Sequence, residues 1–200
     1  SEPWKIPDPA AIAPIKVEKL KDPSGYQPYA RSEATLARSW VSPGAAGFEH
    51  RLGGLGKQDV TGNVSYLPED HEHMVLVRHA KVARIADFIP DVEVFGPERG
   101  DLLVLGWGGT FGPIRAAVER IQAEGKSVAS VHLRHLNPFP KNLGDVLENY
   151  DHVLLPELNL GQLAMLIRSA YNVRVETYSK VQGQPFKISE IEEQIRRTIS

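Results

Sequence analysis

The second half of the chain alternates short apolar runs with segments whose apolar residues recur at helical spacing. The runs are nearly continuous, which is typical of parallel strands buried on both faces. Strands are predicted over residues 101–105, 127–133, 152–155 and 173–178. Helices are predicted over residues 113–124, 143–150, 160–171 and from 189 onward. Strand–helix alternation with crossovers of about a dozen residues or more predicts an α/β fold, in which helices cover a mostly parallel sheet.

Three local signals refine these elements. Pro156 is expected to end the third strand, because proline has no N–H to give to a ladder. The segment 189–192, Ser-Glu-Ile-Glu, has the pattern of a capping box and is expected to open the last helix. The helix over 160–171 is expected to bury one apolar face, made of Leu163, Leu166, Ile167 and Ala170.

A further helix of about five turns is predicted over residues 68–89. Pro68 is followed by acidic residues, which is typical of a helix start because a carboxylate there faces the positive end of the helix dipole. Pro90 ends the pattern. Residues 68–98 are therefore interpreted as a connecting helix and linker, and residues 99–200 as a compact α/β domain.

Residues 1–67 are predicted to form an extended arm rather than a run of regular elements. Seven of the 15 prolines fall between Pro3 and Pro43 and six of the 17 glycines between Gly44 and Gly62, where they break regular backbone hydrogen bonding. The segment is nonetheless rich in aromatic side chains: Trp4, Tyr26, Tyr29, Trp40, Phe48 and Tyr66. We expect these side chains to dock on another surface, in this chain or in a neighbour; the alternative is a flexible linker.

Composition removes several classes of function. The formal charge of −2 and the isoelectric point near 6.4 give no basic footprint for nucleic acid or for an anionic membrane. Cysteine is absent, which excludes disulfides, a cysteine nucleophile and iron–sulfur ligation by this chain itself. No apolar run is long enough to predict a membrane-spanning helix. The chain begins at Ser1 without an initiator methionine, so we expect a processed or partial polypeptide.

A glycine-rich turn over residues 106–112 connects the first predicted strand to its helix. Such a turn approaches anions closely, because glycines expose backbone N–H groups at a helix N-terminus. The dinucleotide-binding spacing needs a glycine at 111, where this chain has Phe111, and no acid closes the second strand. A tight turn with some affinity for anions is therefore favoured over an independent NAD site.

Polar loops follow the second and third strands, at residues 134–140 and 157–162. Since the carboxyl ends of parallel strands meet at one edge, these loops and the glycine-rich turn are expected to converge there and to serve as a binding surface or an interface. The structural alternative is that Asn159 caps the next helix and that Glu157 pairs with Arg134. The candidate cofactor-binding or substrate-rim residues are Gly108, Gly109, Thr110, Arg134, His135, Asn137, Glu157, Asn159 and Gln162.

No catalytic nucleophile and no metal site are predicted in this chain. His71 and His73 are two apart on a predicted helix and do not share a face. His132 and His135 would lie on opposite faces of a strand, and no third ligand completes a site with them. The serines also lack the Gly-x-Ser-x-Gly context of an α/β-hydrolase.

Several motifs together resemble 2-oxoacid:ferredoxin oxidoreductase α subunits, particularly those of the 2-oxoglutarate type. They are Gly53-Gly54-Leu55, Thr61 to Tyr66, Leu105 to Thr110, Leu133 to Pro140, Pro156 to Leu163 and Tyr178 to Phe186. They occur in order over nearly the whole chain. The resemblance implies the C-terminal part of the α subunit, with a fold similar to the transketolase C-terminal domain.

The same resemblance implies oxidative decarboxylation of a 2-oxoacid to an acyl-CoA in the cytoplasm. Thiamine diphosphate, magnesium and a four-iron, four-sulfur cluster would be held mostly by other domains or by a β subunit, with coenzyme A as cosubstrate and ferredoxin as electron acceptor. This segment would support assembly and the rim of the active site, and alone it would be inactive. The alternative is a free-standing α/β module that binds a nucleotide or coenzyme A, or that oligomerises, without catalysis.

Overall fold

The computed structural model describes residues 6–14 and 16–200, so Trp4 lies outside the described residues. The chain divides into two compact units, residues 1–84 and residues 85–200. The predicted boundaries at 67/68 and 98/99 stay predictions. Each unit is described below on its own.

The first unit contains little regular structure before its helix. Its backbone is tied by isolated bridges: Lys19 with Trp40, Tyr29 with Val60, Arg31 with Arg38, and Lys57 with Val64. Helix α1 spans Pro68–Ala83. The helix predicted over 68–89 therefore begins at the expected residue. Its α-helical part ends earlier, at Ala83, and is followed by a 3-10 helix over Arg84–Asp87.

Some of the aromatic side chains of the first unit pack within that unit. The Tyr26 and Phe48 rings meet edge to face with centroids 4.9 Å apart, and Phe48 is buried. The Arg38 guanidinium lies 4.3 Å from the centroid of the buried Tyr29 ring. Trp40 and Tyr66 remain exposed in this unit.

The second unit is a five-stranded sheet with helices on both faces, which confirms the predicted α/β fold. The strands are β1 (Val94–Phe95), β2 (Gly100–Trp107), β3 (Val128–Leu133), β4 (Tyr150–Glu157) and β5 (Val175–Ser179). The helices are α2 (Phe111–Ala123), α3 (Leu143–Glu148), α4 (Gln162–Tyr171) and α5 (Ile188–Thr198). The spatial order is β1-β3-β2-β4-β5, and only β1 runs antiparallel to its neighbour.

The core lies on both faces of this sheet, and β2 contributes to both. Leu103 and Leu105 pack on the side of α3 and α4, whereas Leu102 and Val104 pack on the side of α2 and α5. All four side chains are inaccessible to solvent. A strand buried on both faces needs apolar residues at consecutive positions, which is why this strand was recognisable as a continuous run.

Two local predictions are wrong, and one strand was missed. Pro156 lies inside β4, where it ends the pairing with β2, whose last pair is Val104–Leu154, but not the pairing with β5, in which it lies opposite Tyr178. The last helix begins at Ile188, where the Glu190 carboxylate accepts from the Lys187 N–H at 2.7 Å, so Ser189 is not the cap. The two-residue strand β1 was not predicted, since it is too short to show a period.

A buried lysine fixes the turn between β5 and α5. The Lys180 ammonium donates to both carboxylate oxygens of Glu190, at 2.9 and 2.8 Å, and to the Pro185 carbonyl at 3.1 Å. The hydrogen bond from Lys180, followed by the one from the Lys187 N–H, lowers the pKa of the Glu190 carboxyl.

We expect Glu190→Gln to lower stability at about pH 7 and to have a progressively smaller effect as the pH falls below about 4. A lowered pKa in the folded state gives stability that is complete above the unfolded pKa and is lost as the pH falls through the folded pKa. Thermal unfolding of both proteins across this range measures the difference. Glu193→Gln, which removes an exposed carboxylate of the same helix, is the control, and a Glu190 effect independent of pH would contradict the account.

Candidate functional site

The carboxyl edge of the sheet collects the three polar loops. β3, β2 and β4 are parallel neighbours, so the loops that follow them leave the sheet at the same edge. The chain passes from β2 to β3 on one side and then crosses to β4 on the other side of β2, so the direction in which strands are added to the sheet reverses there. The β2–β4 pairing stops at Val104–Leu154, three residues before either strand ends. Such a switch point is where open α/β sheets bind ligands and partners.

The glycine-rich turn is held by its own threonine. Thr110 is buried; its hydroxyl donates to the Trp107 carbonyl at 2.8 Å and accepts from the Trp107 N–H at 3.1 Å. Gly108 has a φ of 58°, which favours glycine. A Cβ at Gly108 or Gly109 would meet nothing within 4 Å, so this face of the turn is open. Thr110 is therefore structural, and only the two glycines face free space.

Glu157 is a fully buried carboxylate that caps α4. One oxygen accepts from the Leu163 N–H at 3.0 Å and the other from the Ala164 N–H at 3.2 Å. These N–H groups lie in the first turn of the helix, where no carbonyl of the helix can reach them, and the helix dipole adds a favourable interaction with the negative charge. Charge-assisted hydrogen bonds thus compensate the cost of burying this group.

The predicted Glu157–Arg134 pair is wrong. Arg134 follows β3, and β2 lies between β3 and β4, so the two side chains start two strands apart. Arg134 is exposed and forms no ion pair within the part of the chain that the structure describes. Strand order, which local sequence does not reveal, decides this contact.

Asn159 caps α4 as predicted. Its side-chain oxygen accepts from the Gly161 N–H at 2.7 Å and from the Gln162 N–H at 3.2 Å. Gly161 has a φ of 88°, a conformation that favours glycine. The Glu157 carbonyl also accepts from the Lys180 N–H at 2.9 Å, which ties this loop to the end of β5. The loop after β4 is thus fixed by four hydrogen bonds from backbone N–H groups, two accepted by the Glu157 side chain and two accepted by the Asn159 side chain.

The remaining predicted site residues reach solvent. Arg134, His135, Asn137 and Gln162 are exposed, and their side chains form no hydrogen bond with residues 6–14 or 16–200. The structure therefore separates the nine candidates into two sets. Thr110, Glu157 and Asn159 shape the edge, whereas the two glycines and the four exposed side chains are available to a ligand or a partner.

The edge also carries exposed apolar side chains that the sequence analysis did not single out. This apolar rim consists of Phe111, Leu158, Leu160, Met165, Leu166 and Val181, which are between 39% and 80% exposed. Leu166 was expected to be buried on the inner face of its helix, but it is 53% exposed. Only Leu163, Ala164 and Ile167 of α4 are buried, so the buried face of this helix is narrower than its apolar face. Exposed apolar side chains on or next to loops at a ligand- or partner-binding edge are compatible with a protein interface.

Within residues 6–14 and 16–200, no group of three or more histidine and acidic side chains lies close enough to hold a metal ion. In the same residues, no helix combines the length and the apolar character needed to cross a bilayer.

Residues 100–191, most of the second unit, match the family model of the pyruvate:ferredoxin oxidoreductase core domain II. The full chain is 47% identical to the 2-oxoglutarate oxidoreductase subunit KorA of Mycobacterium tuberculosis. The chain belongs to the 2-oxoacid:ferredoxin oxidoreductase family, as part of an α subunit. This confirms the resemblance that the strand-end motifs indicated.

Two further relatives agree with this assignment. Subunit alpha of 2-oxoacid:ferredoxin oxidoreductase 2 from Aeropyrum pernix is 29% identical over 96% of the chain. The structure of the Magnetococcus marinus 2-oxoglutarate:ferredoxin oxidoreductase, with 2-oxoglutarate, coenzyme A and succinyl-CoA bound, superimposes with a TM-score of 0.88 over 97% of the chain at 28% identity. The chain spans 30% of the Mycobacterium and Aeropyrum subunits and 34% of the Magnetococcus chain.

The role of Glu157 as a buried cap is testable by unfolding. We expect Glu157→Ala to lower the free energy of unfolding by about 2–4 kcal/mol, because two buried N–H groups lose a charged acceptor. Glu157→Gln keeps one acceptor oxygen and should cost about half as much. Urea denaturation followed by circular dichroism measures both.

Glu148→Gln is the matched control, since Glu148 is exposed at the end of α3. It should change stability by less than about 0.5 kcal/mol. Equal effects of the Glu157 and Glu148 substitutions would contradict the capping role.

Proposed function

We propose that the complete protein oxidatively decarboxylates 2-oxoglutarate to its acyl-CoA and passes the electrons to ferredoxin. The similarity that carries this proposal is the 47% identity to the Mycobacterium 2-oxoglutarate oxidoreductase subunit over the whole chain. It is supported by the likeness to the Magnetococcus enzyme, whose structure contains 2-oxoglutarate, coenzyme A and succinyl-CoA. The chain spans about a third of these proteins, so the reaction is proposed for the complete complex.

The residues of this chain do not fit the redox and thiamine chemistry of the proposed reaction. An iron–sulfur cluster needs cysteine thiolates, and this chain has none. Magnesium bound to thiamine diphosphate needs clustered oxygen ligands, and the described residues bring no such acidic group together. We therefore assign thiamine diphosphate, magnesium and a four-iron, four-sulfur cluster to other domains of the α subunit or to a β subunit.

The role proposed for this segment is assembly and positioning at the rim of the active site. The apolar rim and the exposed polar residues of the loops lie on the edge that α/β proteins use for ligands and partners. Glu157 and Asn159 fix the loop that carries Leu158 and Leu160, so these two apolar side chains are presented in a defined geometry. We propose that this edge docks on the rest of the complex, in the cytoplasm.

The proposal is tested by purifying the chain together with the remainder of its complex. We expect the material to contain thiamine and iron, and to reduce ferredoxin when 2-oxoglutarate and coenzyme A are both supplied. Material that assembles but contains neither group, or that shows no such activity, would contradict the oxidoreductase proposal. It would favour the free-standing nucleotide- or coenzyme-A-binding module.

The docking role of the edge needs a separate variant. We expect Leu160→Asp to weaken association with the rest of the complex about tenfold or more, because a charge replaces an apolar anchor. Sedimentation velocity of the complex over a dilution series measures the effect. Ala123→Asp, at the exposed end of α2 away from this edge, is the control; equal effects of the two variants would contradict the docking surface.

A further inference from the structure

A cleft of about 440 Å³ lies beside the carboxyl edge, on the side of the sheet covered by α2. Its floor is formed by Phe95 of β1 and by Ser130 and His132 of β3. Residues two apart on a strand project to the same face, and Phe95 lies opposite Ser130 in the β1–β3 register. The start of α2 forms one wall, and Arg134 lies at the end of the floor where β3 stops. Every group involved belongs to the second unit.

Two polar groups on the floor lack a protein partner. Ser130 is 93% buried by its neighbours, being 7% exposed, and its hydroxyl forms no hydrogen bond with the described part of the protein. The Nδ1 atom of His132 also lacks a partner, but it is shielded from solvent and lies on the side of the ring that faces Gly106 of β2. Burial, followed by the charge of Arg134, lowers the pKa of His132, so its ring is neutral at about pH 7 and offers one donor and one acceptor. The Ser130 hydroxyl, which has no partner in the described part of the protein, is therefore the floor group that is available to a ligand in the cleft.

The walls combine flat apolar surfaces with positive charge. The Phe111 ring packs edge to face with the His132 ring, with centroids 5.1 Å apart, and Phe111 is 53% exposed. The Arg115 guanidinium lies over the Phe95 ring and is held by Glu119, to which its Nε donates at 2.9 Å. The Arg134 guanidinium is the exposed cation of the cleft that has no acid paired with it among the described residues. Such a set suits an aromatic ring that carries an anionic group.

Two exposed acids complete the lining. Asp91 and Glu93 precede β1 and border the same cleft. Carboxylates only accept hydrogen bonds, so they suit the hydroxyl groups of a sugar and repel a phosphate. The volume of the cleft lies within the range of small-molecule sites.

We propose that this cleft binds a nucleotide. The base packs against Phe111 and contacts the Ser130 hydroxyl, the ribose hydroxyls face Asp91 and Glu93, and the phosphates pair with Arg134. This site is separate from the glycine-rich turn, whose spacing argues against a dinucleotide fingerprint. The proposal does not rest on the oxidoreductase function, because every group that it uses lies in this chain.

Isothermal titration calorimetry of the 200-residue chain tests the proposal, with ADP as the probe. Adenosine is the probe for the ring alone, and inorganic pyrophosphate is the probe for the anion alone. We expect ADP to bind with a dissociation constant below about 1 mM and at least about tenfold more tightly than either part. Arg134→Ala should weaken ADP binding about tenfold, and Ser130→Ala should weaken it several-fold, while Arg99→Ala, an exposed arginine outside the cleft, should leave it unchanged.

Circular dichroism and thermal unfolding confirm that each variant is folded before titration. Absence of ADP binding up to about 10 mM would overturn the proposal. So would ADP binding that both Arg134→Ala and Ser130→Ala leave unchanged, or pyrophosphate binding as tight as that of ADP. These outcomes are independent of the ferredoxin-reduction assay, so the failure of either proposal is distinguishable from the failure of the other.

Discussion

The geometry of the carboxyl edge depends on one buried carboxylate. Glu157 ends β4 and accepts the Leu163 and Ala164 N–H groups of α4, so a strand and the helix that follows it are joined by two charge-assisted hydrogen bonds inside the core. A buried carboxylate without these donors would cost several kcal/mol, so strand end and helix start hold each other in place. The intervening loop, with Leu158, Asn159 and Leu160, can take few other conformations.

The side chains at this edge therefore fall into two sets: those that hold the loops in place and those that are free to contact a ligand or a partner. Thr110, Glu157 and Asn159 use their polar atoms to fix the turns after β2 and β4. The exposed set is the apolar rim together with Arg134, His135, Asn137 and Gln162. A buried frame that presents apolar residues and uncommitted polar side chains is suited to docking and positioning. Membership of the oxidoreductase family, through part of an α subunit, agrees with that reading of the edge.

The sequence predicted the parts of this fold that depend on neighbours along the chain. The apolar run at 101–105 identified β2 because both faces of the strand are buried, and Asn159 was recognisable as a cap because its partners lie two and three residues away. Contacts set by strand order were not predictable. The Glu157–Arg134 pair failed because β2 lies between their strands, and Pro156 fits within β4 because the pairing with β5 continues past it after the pairing with β2 has stopped. The cleft beside β3 depends on β1, whose two residues show no pattern.

Hydrogen exchange at the start of α4 tests the central claim, that Glu157 fixes this edge, most directly. In the wild-type chain, the Leu163 and Ala164 amides should exchange as slowly as amides of the core, although they belong to the first turn of a helix. In Glu157→Ala, which removes both acceptor oxygens, both should exchange about tenfold faster or more relative to the Ile121 amide of α2, which reports on global stability. Unchanged protection of Leu163 and Ala164 relative to Ile121 would show that the carboxylate does not hold the edge.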